Sequence, residues 1–173
     1  MKFVDIASRF GDVTLRVTPV PHPWNDGQAA YDVQLTGVDL DASNVFMEDD
    51  DAPQTLIEFC RELADNHKGF DGERLWESAG AALKIRADHD QVNATRLYVT
   101  LTGGPVPSWS AYAELHVDPF RFDRVATNLE LFRNELLAGE VENPDEEPPR
   151  IDPRKRAREP RKKIGTPNAQ TRG

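Results

Sequence analysis

The chain has 173 residues, 38% of them hydrophobic and 29% charged, with a net charge of −9; that length suffices for one domain with its own core. The lone cysteine, Cys60, excludes an intramolecular disulfide and any zinc site built on cysteines, and suits a reducing compartment. No apolar run nears the roughly 18 residues that span a bilayer, and Asp5 interrupts the short apolar start, so a cytoplasmic protein with no signal segment and no membrane contact is expected.

The charge is segregated along the chain. Residues 1–139 hold 12 Lys and Arg against 23 Asp and Glu, residues 140–149 five acids and no base, and residues 150–173 nine bases against two acids. An acidic body repels nucleic acid and attracts basic partners.

In chain order, "FVDIAS" is a weak strand candidate. Val13, Leu15 and Val17 then alternate with Thr14, Arg16 and Thr18, and Tyr31, Val33 and Leu35 with Asp32, Gln34 and Thr36. Such alternation marks antiparallel strands with one buried and one wet face. The phase breaks at Gly37, which predicts a bulge or turn. Between these strands "PVPHPWNDG" reads as a Pro-rich hairpin connection, where Trp24 either folds back on the domain or serves as a binding hot spot.

"SNVFME" is a second weak strand candidate, and Glu48, Asp49, Asp50 and Asp51 follow from its end. This run leads into a helix over "DAPQTLIEFCRELADNH", with Leu56, Phe59, Cys60, Leu63 and His67 on one stripe. Asp50 or Asp51 with Pro53 signal its start. Four acids there complement the helix dipole; with Trp24 they are also the candidate contacts for a basic partner.

The stretch "KGFDGERLWESAGAALKI" turns the chain from this helix into a second run of strands, Gly69 and Gly72 permitting the turn. Phe70 and Trp76, with Trp109 further on, are assigned to an aromatic latch closing the open end between helix and sheet. Leu83, Ile85 and Ala87, then Leu97, Val99 and Leu101, then Trp109, Ala111, Ala113, Leu115 and Val117 predict three strands. The short connections "DHDQVN" and "TGGPVP" make them a meander. Its polar face gathers Lys84, Arg86, Arg96, Tyr98, Tyr112, Glu114 and His116, which either pair across the strands or form a partner platform with Arg86 and Arg96 as contacts.

The last predicted helix covers "DPFRFDRVATNLELFRNELL", with Asp118 as N-cap, Pro119 at its first position, and Phe122, Val125, Leu129, Phe132 and Leu136 on its stripe. Beyond Gly139 there are six of the 13 prolines and no aromatic residue. Residues 139–173 are therefore expected to be a disordered, charge-segregated tail after a single domain over 1–138. Arg154, Lys155, Arg156, Arg158, Arg161, Lys162 and Lys163 make that tail the one candidate for nucleic-acid contact. The expected fold is α+β: strands, a helix, a three-stranded meander and a C-terminal helix, giving an antiparallel sheet with both amphipathic helices packed on one face.

The succession "LIEFCRELA", "GFDGERLWES", "ALKIRADHD", "ATRLYVTLTG" and "WSAYAELHVDP" resembles an uncharacterised bacterial family, mostly actinobacterial, described only as a domain of unknown function. The resemblance covers roughly residues 10–137 and is most specific in the aromatic–Gly–Trp–Ser pattern, with Phe70 where the family more often has Trp. More distantly, the element order is similar to that of immunity proteins paired with a wall-associated contact-dependent toxin. That second likeness implies a small α+β protein that binds and silences a basic toxin domain.

The residues point to no catalytic constellation. His89 lies between two aspartates in a turn and His116 on a wet strand face, and neither has a spaced ligand motif. Cys60 sits on an apolar stripe, where a thiol is inert. Neither a G-x-S-x-G elbow nor a phosphate loop occurs, and no cofactor or metal is expected. The leading expectation is a non-enzymatic protein-binding domain, immunity-like if the distant resemblance holds. The alternatives are an enzyme or small-ligand binder with a pocket around Trp76, Trp109 and His116, and a nucleic-acid-associated factor acting through the tail.

Overall fold

The period-two segments of the first third become four strands: β1 (Val4–Ala7), β2 (Val13–Val20), β3 (Ala29–Gly37) and β4 (Leu40–Glu48). They pair antiparallel in chain order, with Leu15 opposite Ile6 and Leu35, and Phe46 opposite Tyr31. Both weak candidates are therefore strands. The break at Gly37 is the β3–β4 turn, where Asp39 takes a φ of 56°, a left-handed conformation that Asp tolerates better than most residues.

Helix α1 (Leu56–Asp65) follows. Its N-cap is Thr55, not the upstream acids or Pro53. The Thr55 hydroxyl accepts the Glu58 N–H at 3.2 Å while the Glu58 carboxylate accepts the Thr55 N–H at 2.7 Å, a reciprocal capping box. Leu56, Ile57, Phe59, Cys60 and Leu63 form its buried stripe.

A second succession repeats the first. Strand β5 (Arg74–Glu77), one 3-10 turn at Ala79–Ala81, and strands β6 (Leu83–His89), β7 (Thr95–Gly103) and β8 (Trp109–Val117) lead into α2 (Arg121–Leu137). These strands make their own sheet, ordered β5-β6-β7-β8, separate from β1-β2-β3-β4. Asp118 Oδ1 accepts the Phe120 N–H at 3.1 Å and the Asp118 carbonyl accepts Arg121 N–H at 2.9 Å. Asp118 thus caps the turn that opens α2, two residues later than Pro119 suggested. Phe122, Val125, Ala126, Leu129 and Phe132 are buried along it, and the predicted stripe residue Leu136 has a side chain outside those described.

The expectation of one sheet carrying both helices on one face is overturned by this pairing. The described residues, 2–20, 29–48, 52–104 and 108–138, are 49% strand and 23% helical, and the strands divide into two four-stranded sheets. The three-stranded meander gains β5 as a fourth member, with Trp76 opposite Ile85. Leu15, Val17, Val33 and Leu35 from the first sheet join Leu83, Ile85, Val99 and Leu115 from the second in one core. Helix α2 packs on α1 and on β1, β2 and β3. All of this lies within the unit Met1–Glu142.

Candidate interaction face

Alternation on β6, β7 and β8 turns Leu83, Ile85, Val99 and Leu115 into the core and leaves the intervening side chains on the outer face of the second sheet. Register stacks that outer face into rows: Asp88–Arg96–His116, Arg86–Tyr98–Glu114 and Lys84–Thr100–Tyr112. Side chains opposite one another across antiparallel strands lie close enough to interact, and here they do.

Arg96 Nε donates to Asp88 Oδ1 at 2.6 Å, and the Tyr98 hydroxyl donates to Asp88 Oδ2 at 3.2 Å. The hydrogen bond to Asp88, reinforced by its charge, raises the Arg96 pKa. Burial and the same aspartate raise that of Tyr98, which stays a neutral donor. The Arg86 guanidinium lies over the Tyr98 ring, 4.2 Å from its centroid, and donates to Glu73 Oε1 at 2.8 Å. Lys84 pairs with Glu77 at 3.3 Å and His116 Nε2 sits 3.0 Å from Glu114 Oε1. Each cation of the face is held by a carboxylate, so the face offers no bare positive patch to a phosphate. Tyr112 stands 57% exposed beside these pairs.

The other predicted site residues go elsewhere. Glu48 is buried, and its Oε1 accepts the Leu56 N–H at the start of α1; it supports the helix from inside rather than meeting a partner. Trp24, Asp49, Asp50, Asp51 and the tail residues Arg154, Lys155, Arg156, Arg158, Arg161, Lys162 and Lys163 lie outside the described residues. Phe70 and Trp76 are buried. The Trp76 ring meets Phe46 edge-on at 5.7 Å, and its Nε1–H donates to the Gln54 carbonyl at 3.0 Å. Trp109 instead lies against Gly103, so close that a Cβ there would fall 2.3 Å from the ring.

Trp76, Trp109 and His116 do not form a pocket. Trp76 aligns with Ile85, Val99 and Ala113 across the sheet. Trp109 is thus three strands and four residues away, roughly 20 Å at ordinary strand spacing. His116 lies on the opposite face from Trp109, seven residues along β8. An open groove of about 440 Å³ does border Trp76, between Pro53, Gln54, Leu75, Glu77 and Ser78, but neither Trp109 nor His116 lines it. Burial pushes the Cys60 thiol up to about 12, helped by the charge of Glu48, so it is no nucleophile.

One convergence is invisible in the sequence. His67, His89 and His116 gather at one end of the fold with Phe120, Phe70 and Phe10, at ring separations of 5.0, 6.0 and 5.2 Å respectively. The register of β6, β7 and β8 sets His89 and His116 at one end of the second sheet, and the turn after α1 comes up to it, Gly69 against the His89 ring and the Phe70 carbonyl accepting from Gln91 Nε2 at 3.1 Å. His89 Nδ1 accepts the Gln91 N–H at 2.9 Å, and Asp90 Oδ1 accepts those of Val92, Asn93 and Ala94, each at 2.9 Å. Burial works to raise the Asp90 pKa, but the three backbone donors prevail and hold it at about 2. These are turn-forming roles. Among the described residues no group of three His, Cys, Asp or Glu is placed to hold a metal, and no helix is long and apolar enough to cross a membrane.

No curated protein matches the chain. Among solved structures it is similar to one described as the structure of the plant transcriptional regulator PBF-2, at 12% identity over 81% of this chain and 85% of that one, with a TM-score of 0.45; a likeness so loose carries no functional argument. A family model does match, over residues 11–135. As the middle of the sequence suggested, the chain belongs to an uncharacterised domain family, the family of unknown function DUF6228.

Proposed function

We propose that this protein is a non-catalytic protein-binding domain that meets its partner on the outer face of the second sheet. The observation that supports this reading is that an exposed Tyr112 and the Arg86–Tyr98 stack lie on the same sheet face. Tyr and Arg dominate binding hot spots because they supply large contact area with a polar tip and lose little conformational freedom when held in advance. Here the Arg86 guanidinium is fixed at both ends, by Glu73 and by the Tyr98 ring.

A basic protein fits as partner. Residues 1–139 carry 11 more acids than bases, and Lys2, Arg16, Arg61, Arg74, Lys84, Arg86 and Arg96 are each engaged by a carboxylate of the same chain. The remaining field is negative and steers a cationic surface toward the domain. A basic enzyme such as a nuclease toxin, silenced by occlusion of its active surface, is the immunity-type form of this proposal.

The test is capture from the native cytoplasm with wild type, Tyr112→Ala and the Arg86→Glu/Arg96→Glu double variant. A protein retained by wild type, released by rising salt and lost with both variants at unchanged melting temperature supports the face. Equal capture by all three removes it.

A further inference from the structure

The four sheet edges of this fold are treated differently. Strands β1 and β5 are only four residues long. On β4 the Asn44 side chain blunts the edge, its Oδ1 accepting the Val45 N–H at 2.8 Å and its Nδ2 donating to the Thr102 carbonyl of β7. Strand β8 has nine residues, WSAYAELHV, with no Lys, Arg or Pro and an unbroken register to β7. Long edges without Lys, proline or a bulge invite another strand, and natural folds usually suppress them; the one acid on this edge is Glu114.

Parity identifies which groups point outward. Among the described residues the β8 edge receives one backbone bond from outside its sheet, Arg9 N–H to the His116 carbonyl at 2.7 Å. His116 therefore directs its N–H and C=O away from β7, and so do Glu114, Tyr112 and Ser110, every second residue before it. The Thr102 N–H agrees, turning toward β6 to reach the Ala82 carbonyl at 2.9 Å and leaving its β8 neighbour Ser110 free on that side. The β1–β2 turn covers the edge at His116, where Phe10 also packs. Ser110–Glu114 is the open window.

We propose that this window pairs with itself in a second copy of the chain, joining two second sheets into one continuous sheet across a twofold axis at Tyr112. Antiparallel self-pairing about Tyr112 sets Ser110 opposite the other copy's Glu114 and Tyr112 opposite its own mate. Each pair exchanges two backbone bonds. The one charge in the window then faces a hydroxyl rather than its own image, and two exposed tyrosines form a cross-strand aromatic pair. Sliding the partner strand two residues toward His116 sets Ser110 opposite that residue and drives the strand into the turn that covers it, and sliding it four brings the two Glu114 side chains together as well.

Sedimentation equilibrium over a range of concentration tests this. Wild type is expected to dimerise. Ser110→Glu puts a carboxylate opposite the other copy's Glu114 at two symmetric places and should weaken the dimer by roughly two- to thirty-fold, like charges directly opposite being destabilising. Adding Glu114→Lys to that variant should restore it, since each new Glu then faces a Lys of the other copy. Within one chain the two positions are four residues apart on a strand, about 13 Å, so the rescue cannot arise inside a monomer. A monomeric wild type overturns the proposal, as does a dimer indifferent to Ser110→Glu or one that Glu114→Lys fails to rescue. Ser110→Glu leaves Tyr112 and Arg86 in place, so a monomer that still captures its partner separates this inference from the proposed binding face.

Discussion

Replacing Trp76 with alanine should cost this fold about 4 kcal/mol. The side chain is 4% exposed. An aromatic side chain of this class buries roughly 150–250 Å², worth about 4–6 kcal/mol as an upper bound at 25 cal/mol per Å². Measured truncations of buried aromatics fall near 3–5 kcal/mol. The edge-on contact with Phe46 contributes about 0.5–1.5 kcal/mol of that. The bond from Nε1 to the Gln54 carbonyl adds little, because the open groove beside Pro53 and Leu75 lets water replace it. Urea denaturation followed by far-ultraviolet circular dichroism measures the change, and for a domain of this size it corresponds to roughly 15 °C in Tm. Trp76→Phe, which keeps most of the area, should lose only about 1–2 kcal/mol. A cost below about 1 kcal/mol for the alanine variant would refute the assignment of Trp76 to the core between the sheets. Additive losses in the Trp76→Ala/Phe46→Ala double variant would refute the direct contact, for which a coupling near 1 kcal/mol is expected.

Thr55→Ala removes half of the capping box and should lower stability by about 1 kcal/mol at neutral pH. The backbone and hydroxyl bonds of Thr55 lower the Glu58 pKa below its ordinary 4.5. Their stabilising effect is complete above that value and fades as pH falls through the lowered one; the Tm gap between wild type and Thr55→Ala should therefore narrow in acid as the hydroxyl-to-carboxylate bond is lost, without closing, because the Thr55 hydroxyl still accepts the Glu58 N–H, and equal Tm values at neutral pH would contradict the cap. Cys60, with its pKa near 12 and its burial in the core, should resist a thiol reagent at pH 8 in the native protein and react at once in denaturant. Gly103→Ala should expel Trp109 from its seat on the backbone, shifting tryptophan emission to longer wavelength, whereas unchanged emission would mean that the ring does not rest there.

What the sequence disclosed and what it concealed follow from the range of each signal. Alternation at Val33 and Leu35 or at Val99 and Leu101 is local, and it places five of the strands and their buried faces, β1 and β4 showing only as weak candidates. Which strand lies beside which is not local. Period two gives a strand its faces but not its sheet, so two meanders read as one. Strand β5 was missed as a strand because only Trp76 of its four residues is buried, too few to show a period. The Thr55–Glu58 box stood in the sequence as T-L-I-E, but the acids from Glu48 onward offered a louder helix-start signal. Of those acids, Glu48 is turned inward by the last position of β4. Arg86 and Arg96 were legible as one face because strand parity is local, and their ion pairs were legible in kind. The approach of His67 to the sheet end that holds His89 and His116 is not legible, since it depends on how the turn after α1 packs against that end.

The doubled succession of four strands and a helix bears on how the polypeptide can be cut. Leu15 and Val33 of the first half and Ile85 and Val99 of the second share one core, α2 rests on strands of the opposite half, and Trp76 is tied to the loop that opens α1. Neither half can shield its own apolar sheet face. Cleavage between Asn66 and Glu73 would therefore yield two fragments that are each unfolded alone yet complementary when mixed, assembling in a bimolecular reaction whose rate rises with concentration. The same reciprocity gives crowded refolding chains a competing route, in which the second half of one molecule completes the first half of another.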